Sequence, residues 1–182
     1  MKIRKQILAL AIMLSAMTTA RAQQPYSGCW FPDDVINWSP ETDADAKFNR
    51  SRIPLQERID NHYGSGQIET ATITNKMCSL TPSQGDNNFL AYQPTYWQYM
   101  EKFINWGGAG NEGIFVLPPA GTIDAAHLNG VKILGTLFFM PRTIGGRDRW
   151  IEAMLTKDAN GKYPYAVKMY EIAKYFGFDG WF

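Results

Sequence analysis

The stretch VKILGTLFF, residues 131–139, decides the predicted fold, because this short apolar run is typical of a buried strand. Before this run, residues 119–129 have the pattern of a helix, which ends at Gly130. Residues 163–176 follow it with another helical pattern, which ends at Gly177. A further strand is predicted at 178–182. Strands and helices therefore alternate through this part of the chain.

The same alternation extends toward the N-terminus. The other predicted strands are 68–77 and 113–117, and the other predicted helices are 94–104 and 147–156. Alternation with short links favours parallel β/α units, and a continuously apolar strand suits a sheet covered on both faces. The predicted fold class is α/β: the first half, about four β/α units, of a (β/α)8 TIM barrel. Because the chain stops inside a predicted strand, we interpret residues 67–182 as a fragment, the N-terminal half of a catalytic barrel domain.

The N-terminus has the features of a secretory signal peptide. Lys2, Arg4 and Lys5 precede the apolar run 7–17, and Ala20-Arg21-Ala22 fits the small-x-small cleavage pattern. Residues 1–22 are therefore predicted to be removed, which would make the protein exported: periplasmic, on the cell surface or secreted. A short buried helix is the alternative. Residues 23–66 are rich in Pro, Asp, Asn and Ser, which predicts an irregular leader packed on the barrel.

Composition narrows the class of protein. With 45% hydrophobic and 14% aromatic residues the chain has the composition of a globular protein, not a disordered one. Its formal net charge is +1, and without residues 1–22 it would be 14 − 17 = −3. A nucleic-acid partner is therefore not expected, since phosphate binding requires a basic surface. No apolar run outside the signal peptide is long enough to predict a membrane span.

Cysteines and histidines predict no metal centre and no cofactor. Cys29 and Cys78 have no metal-ligand spacing, and His62 and His127 are far apart in sequence. An exported protein could pair the two cysteines, but they could equally be buried free thiols. The sequence leaves both interpretations open.

Several segments, in the same order and spacing, resemble glycoside hydrolase family 85, the endo-β-N-acetylglucosaminidases. The resemblance runs from about Gly28 to the end of the chain. Its segments are GCWFPDD 28–34, DAKFNRS 45–51, YWQYM 96–100, NWGGAGNEGI 105–114, IDAAHLNGV 123–131 and YFGFDGWF 175–182.

This resemblance implies a TIM barrel that hydrolyses the GlcNAc-β-1,4-GlcNAc bond of the N-glycan core of glycoproteins. In the family, the 2-acetamido oxygen of the substrate attacks the anomeric carbon, an exception to the two-carboxylate scheme. A Glu is the acid and then the base, and an Asn two residues earlier orients the acetamide. That Asn-x-Glu is expected just beyond Phe182, so no catalytic residue is assigned within the chain. A non-catalytic glycan-binding or degenerate barrel protein is the alternative. Some members of the family are cytosolic.

Three aromatic residues are predicted to bind substrate: Trp106, Phe138 and Phe139. Trp106 is similar to the sugar-stacking Trp of the family, although it could equally pack the end of the preceding predicted helix. Of Phe138 and Phe139, one is expected to face the pocket and the other the helices. Strand alternation predicts that residues 178, 180 and 182 face the barrel interior and that Asp179 and Trp181 face the helices.

Other conspicuous residues are predicted to be structural. Glu112 precedes a predicted strand, so it is expected to be a cap or ion pair at the stability face of the barrel. His127 is expected to be a surface or packing residue, Tyr96 and Trp97 to pack the core, and Asp33 and Asp34 to cap locally.

Overall fold

A parallel sheet organises the part of the protein that the structure, a computed structural model, describes: residues 24–58, 69–73, 77–85, 94–108 and 111–182. The predicted signal peptide and part of the predicted leader lie outside these residues. The elements are β1 Cys29–Trp30, α1 Pro32–Asn37, β2 Glu69–Ile73, β3 Lys102–Trp106, β4 Phe115–Val116, α2 Ala120–Leu128, β5 Lys132–Leu137, α3 Asp148–Leu155, α4 Pro164–Phe176 and β6 Gly180–Trp181.

Strands β2, β3, β5 and β6 are parallel neighbours in that order. Ile104 of β3 is aligned with Leu134 of β5, and Leu134 is aligned with Gly180 of β6. The C-terminal end of β5 also pairs with β4, which is antiparallel to it, and β4 pairs in turn with β1. A mixed α/β architecture, with helices packed on a sheet, agrees with the predicted class.

The predicted helix 94–104 is wrong. The segment contains one 3-10 turn, Trp97–Tyr99, followed by β3. Trp97 packs on Phe103 with ring centroids 5.4 Å apart, as predicted for a core residue, but Tyr96 is 65% exposed. The apolar spacing arises because β3 is covered on both faces, so consecutive residues are buried and imitate a helical stripe.

The predicted strand 113–117 is present only as β4, and its direction was predicted wrongly. It is antiparallel to β5 instead of belonging to a parallel β/α unit. Parallel strands need a crossover of a dozen or more residues, and the segment 107–114 is shorter than that. The four parallel strands therefore include β3, which was predicted to be helical, and exclude β4.

The helices predicted at 119–129, 147–156 and 163–176 are present as α2, α3 and α4. Helix α2 falls within the predicted range 119–129 and is followed by Gly130, which has a φ of +68°. Helix α4 begins with Pro164, and Gly177 ends it in the left-handed conformation. The sheet face toward these helices contributes Phe103 and Ile133 to the core, where they join buried α4 residues. In the described part of the chain, no helix has the length and apolarity to cross a membrane.

The N-terminal segment 24–58 packs on α4. Trp38 lies with its ring centroid 5.2 Å from that of Phe176 and 6.0 Å from that of Trp30, and Val35 is fully buried. The segment is mostly irregular but contains β1 and α1. Asp34 accepts a hydrogen bond from the Phe31 N–H at 2.8 Å, which confirms a local capping role for it.

The Asp124 carboxylate on α2 anchors the end of this segment. Its Oδ1 accepts hydrogen bonds from the Ser51 hydroxyl at 2.7 Å, the Arg52 N–H at 2.7 Å and the Ile53 N–H at 3.1 Å. Charge-assisted bonds of this kind are stronger than neutral ones. One carboxylate oxygen therefore fixes three consecutive residues against α2.

His127 connects the same segment to the turn before β6. We call the contacts of Asp124, His127 and Asp179 the junction. The Nδ1 atom of His127 lies 2.7 Å from the Ile53 carbonyl, and its Nε2 lies 2.9 Å from Asp179 Oδ2. The same Asp179 oxygen accepts the Ile133 N–H at 2.8 Å. His127 is buried, so of the two roles predicted for it, packing is correct and surface exposure is not.

Both partners of the His127 ring are acceptors, so only the doubly protonated imidazolium satisfies both. Burial lowers the pKa of His127, but the hydrogen bonds to Asp179 and to the Ile53 carbonyl, with the charges of Asp179 and Asp124, outweigh it and raise the pKa. Because the pKa is raised on folding, the stabilisation is fully present below the unfolded-state pKa of about 6.5. It is lost as the pH rises through the folded-state pKa.

We predict that His127→Ala lowers the free energy of unfolding by about 2–4 kcal/mol at pH 6, because a buried ion pair loses one partner. The loss should be smaller at pH 9. Urea denaturation at both pH values measures it. Arg142→Ala is the control: it breaks the exposed Arg142–Asp148 pair and should cost less than about 1 kcal/mol. Equal effects of the two substitutions would contradict the prediction.

Candidate functional site

Aromatic side chains meet at the carboxyl ends of three parallel strands. Trp106 ends β3, Phe138 follows β5 and Phe182 follows β6. The ring centroid of Trp106 lies 5.5 Å from that of Phe138 and 5.9 Å from that of Phe182. We call these three residues the aromatic cluster. Strand alternation places them on the face opposite Phe103 and Ile133, which is away from the helices.

The structure brings together two of the three predicted binding residues. Phe138 contacts Trp106 and is 38% exposed, so it is the one that shares the Trp106 face. Phe139 is 44% exposed, and by alternation it is directed to the other face. A role in sugar binding stays a prediction for all three.

A buried hydrogen bond holds the strands beneath the aromatic cluster. The Thr136 hydroxyl of β5 donates to the Asn105 carbonyl of β3 at 2.7 Å. The regular β3–β5 ladder ends at Leu134, so this bond keeps the two strands together beyond it. It thereby fixes the spacing of Trp106 and Phe138.

Strand alternation at the end of the chain is correct from Asp179 onward and wrong for Phe178. The Trp181 Nε1–H donates to the Met169 carbonyl of α4 at 3.0 Å, on the helix side as predicted. Phe178 lies there too, with its ring centroid 5.0 Å from that of Trp181. Its N–H bonds the Ala173 carbonyl, so it still belongs to the end of α4 and alternation begins only at β6.

A second cluster, which we call the thiol cluster, consists of Cys29, Cys78 and Glu112. Their sulfur and carboxylate oxygen atoms all lie within 4.8 Å of one another. Glu112 accepts hydrogen bonds from the Cys78 N–H at 2.8 Å and the Ser79 N–H at 3.0 Å. The predicted capping role of Glu112 is therefore confirmed.

The predicted location of Glu112 is wrong. It was placed at the stability face because it precedes a strand, but that strand, β4, is antiparallel to the others. Residues before β4 therefore lie at the carboxyl ends of the parallel strands. That is the end at which the aromatic cluster lies and at which ligands of parallel sheets bind.

The thiol cluster is closely packed and electrically negative. A hydrogen bond with Cys29 raises the pKa of Cys78, and burial and the Glu112 charge raise it further, so Cys78 is a neutral thiol. The two sulfurs and one carboxylate have the chemistry of zinc ligands, although they are far apart in sequence. No sequence spacing could indicate this cluster, because tertiary structure alone brings residues 29, 78 and 112 together.

A cavity of about 460 Å³ opens beside the thiol cluster. Asp43, Asp45 and Asn49 also line it. The Asn49 Oδ1 atom is buried and finds no hydrogen-bond partner within the described parts of the chain. An unpaired acceptor and several carboxylates among the lining residues favour a ligand that donates hydrogen bonds.

Parallel strands with a site at their carboxyl ends define an α/β protein of the kind that binds ligands outside the sheet. Residues 74–182 match the family model described as glycosyl hydrolase family 85. The chain belongs to this family.

Known members give the same assignment. The chain is 28% identical over 145 residues to cytosolic endo-beta-N-acetylglucosaminidase 1 of Arabidopsis thaliana, a match covering 74% of this chain and 19% of that protein. It is 33% identical over 98 residues to the human cytosolic endo-beta-N-acetylglucosaminidase, covering 54% of this chain and 12% of that protein.

A solved structure is also similar. It is the glycoside hydrolase domain of Endo-D from Streptococcus pneumoniae R6, with a TM-score of 0.69 and 28% sequence identity. The match covers 87% of this chain and 25% of that chain. The chain thus spans about a fifth or less of these curated relatives and a quarter of the Endo-D chain.

We predict that Gly108→Ala destabilises the protein by about 2–4 kcal/mol. Gly108 has a φ of +79°, and an added Cβ would lie 2.7 Å from the Cys29 sulfur and 3.0 Å from the Cys78 sulfur. Backbone strain and overpacking both contribute. Gly145→Ala is the matched control, since its φ is +100° and no heavy atom lies within 4 Å of the added Cβ. It should cost about 1–2 kcal/mol, from backbone strain alone. Equal losses in urea denaturation would show that the sulfur contacts are not tight.

Proposed function

We propose that this chain forms the first β/α units of the catalytic barrel of an endo-β-N-acetylglucosaminidase. The substrates of this enzyme are the N-linked glycans of glycoproteins, which it cleaves at the GlcNAc-β-1,4-GlcNAc bond of the core. The observation that carries the proposal is the aromatic cluster at the carboxyl ends of β3, β5 and β6, in a chain of family 85. Flat apolar rings at that end offer stacking surfaces for the C–H faces of sugars.

The edge of the sheet at β6 supports the proposed half barrel. β6 pairs with β5, and a largely apolar groove of about 500 Å³ lies beside it, lined among others by Met169, Tyr170 and Trp181. In a closed barrel the next strand pairs with β6 and the next helix covers such a groove. The activity proposed here is that of the whole protein, of which this chain supplies the first half of the barrel.

The proposed mechanism is the substrate-assisted one of the family. The acetamide oxygen of the substrate attacks the anomeric carbon and the bond to the leaving oxygen breaks. A Glu protonates that oxygen, and the same Glu then deprotonates the water that opens the oxazolinium. In the family one residue, an Ile, separates this Phe from the Asn-x-Glu. The Asn and the Glu would therefore lie two and four residues after Phe182 and on its face, since residues two apart share a face. Phe182 contacts Trp106, so these groups would stand next to the aromatic cluster.

The test is an assay of the whole protein on a high-mannose glycoprotein. We expect release of the glycan and one GlcNAc left on each modified Asn, both measured by mass spectrometry. Retention of the glycan on the immobilised protein without any release would instead support the alternative, a non-catalytic glycan-binding or degenerate barrel protein.

Trp106→Ala is predicted to weaken glycan binding by about 1–3 kcal/mol, the scale of one lost aromatic contact. The melting temperature should change little, because Trp106 lies at the end of a strand and is only partly buried. Isothermal titration with a high-mannose glycan measures the loss. Tyr96→Ala, 65% exposed and before the amino end of β3, is the control and should bind as the unaltered protein does. Unfolding of the Trp106 variant without a separable binding defect would favour a packing role.

Export is a further part of the proposal. The Arabidopsis and human relatives are named cytosolic, whereas residues 1–22 of this chain have the basic start, apolar run and small-x-small site that are typical of a signal peptide. Cell fractionation should find the protein outside the cytoplasm, and N-terminal sequencing should begin at or near Gln23. A soluble cytoplasmic product that keeps Met1 would refute export.

A further inference from the structure

The thiol cluster has no part in the proposed hydrolysis, yet it joins two distant segments of the chain. Cys29 belongs to β1, and Cys78 begins the 3-10 turn Cys78–Leu80. Both are free thiols in the structure, Cys78 buried and Cys29 partly exposed. We propose that Cys29 and Cys78 are a disulfide pair, which ties the N-terminal segment to the segment that follows β2.

Backbone pairing aligns the two cysteines independently of their side chains. Tyr26 and Pro82 form an antiparallel bridge. Two hydrogen bonds flank it: Ser27 N–H to the Thr81 carbonyl at 3.1 Å, and Ser83 N–H to the Pro25 carbonyl at 2.9 Å. Following the same antiparallel course two or three residues further brings Cys29 opposite the start of the 3-10 turn, where Cys78 lies.

The side chains agree with that alignment. The sulfur atoms lie within 4.8 Å of each other, and they share one neighbour, Gly108. A Cβ added to Gly108 would lie 2.7 Å from one sulfur and 3.0 Å from the other. Glycine at this position therefore leaves room for two sulfurs side by side, and a disulfide requires only a small further approach.

Oxidation requires an acceptor of two electrons, and we specify a low-molecular-weight disulfide such as oxidised glutathione. The Cys29 thiolate, on the cavity side, attacks one sulfur of the oxidant, forms a mixed disulfide and releases one thiolate, which takes up a proton from water. Cys78 then attacks the Cys29 sulfur, the protein disulfide forms, and the Cys78 proton passes to the second thiolate as it leaves. Two protein thiols are thereby oxidised, and one small disulfide is reduced to two thiols.

The cellular compartment of the protein determines whether this oxidation occurs. Disulfides persist in exported proteins and are rare in the cytosol. The proposal therefore fits the exported location, but it does not rest on the glycosidase activity. It assigns the pair a stabilising role at the carboxyl ends of the strands, where Gly108 follows Trp106 by two residues.

The experiment uses the whole chain, reduced and then incubated natively with oxidised glutathione. After denaturation with an alkylating agent, we expect no alkylated cysteine, an intact mass lower by two hydrogens than that of the reduced chain, and one cross-linked peptide containing Cys29 and Cys78. The oxidised protein should unfold at a higher urea concentration than the reduced protein. Cys29→Ser/Cys78→Ser, the matched control, should show no such difference.

Two results would overturn the proposal. One is full alkylation of both cysteines after the oxidant has acted on the native protein. The other is retention of one zinc ion per reduced chain that protects both thiols from oxidation and is abolished by Glu112→Gln. That second result would make the thiol cluster a metal site.

Discussion

The contact of the His127 ring with two acceptors, the Ile53 carbonyl and the Asp179 carboxylate, is the interaction on which the described structure depends most. It connects three parts of the chain: the irregular segment through Ile53, helix α2, and the turn before β6 through Asp179. Asp124, one helical turn before it, adds three bonds to the same segment. Buried polar groups are costly when unpaired, so this junction permits only one arrangement of these elements.

The two ends of the sheet have different roles as a result. The junction lies at the amino ends of the parallel strands, since Asp179 precedes β6 and His127 precedes β5. The aromatic and thiol clusters lie at the carboxyl ends. Because the junction holds the elements together at the amino ends, the side chains at the carboxyl ends can stay partly exposed. This arrangement is expected of an α/β sheet that binds ligands at strand ends.

The sequence predicts the helices of this chain much better than its short strands. Helices α2 and α4 are bounded by local signals, a proline before or at the start and a glycine after the end. β3 is also preceded by a proline, Pro94, and followed by a glycine, Gly107, but it is an apolar run covered on both faces and was predicted to be a helix. β4 contains two residues whose direction depends on what they pair with. Short apolar runs are ambiguous between helix and strand for this reason.

The residues of the candidate site differ in the same way: some could be predicted from local sequence signals, and others could not. Trp106 was found through the family resemblance of its Gly-rich segment, and Phe138 because it ends a strand that the sequence predicts. Alternation correctly separated Phe182 from Trp181. The thiol cluster could not be found, because it needs the contact of two loops and the N-terminal segment. His127 was recognised only as a possible packing residue, since its partners Ile53 and Asp179 are distant in sequence.

Most of the segments that carry the family resemblance have structural roles. DAKFNRS 45–51, IDAAHLNGV 123–131 and YFGFDGWF 175–182 meet at the junction. The aromatic cluster takes Trp106 from NWGGAGNEGI 105–114 and Phe182 from the last of those three segments. The junction nevertheless acts on the site through β6. Asp179 is bonded to both His127 and the Ile133 N–H, which fixes the register of β6 on β5 and so the position of Phe182 beside Trp106. A slip of one residue would turn Phe182 toward the helices. A hydrogen bond at the amino end of the sheet therefore determines which side chains face the site at the carboxyl end.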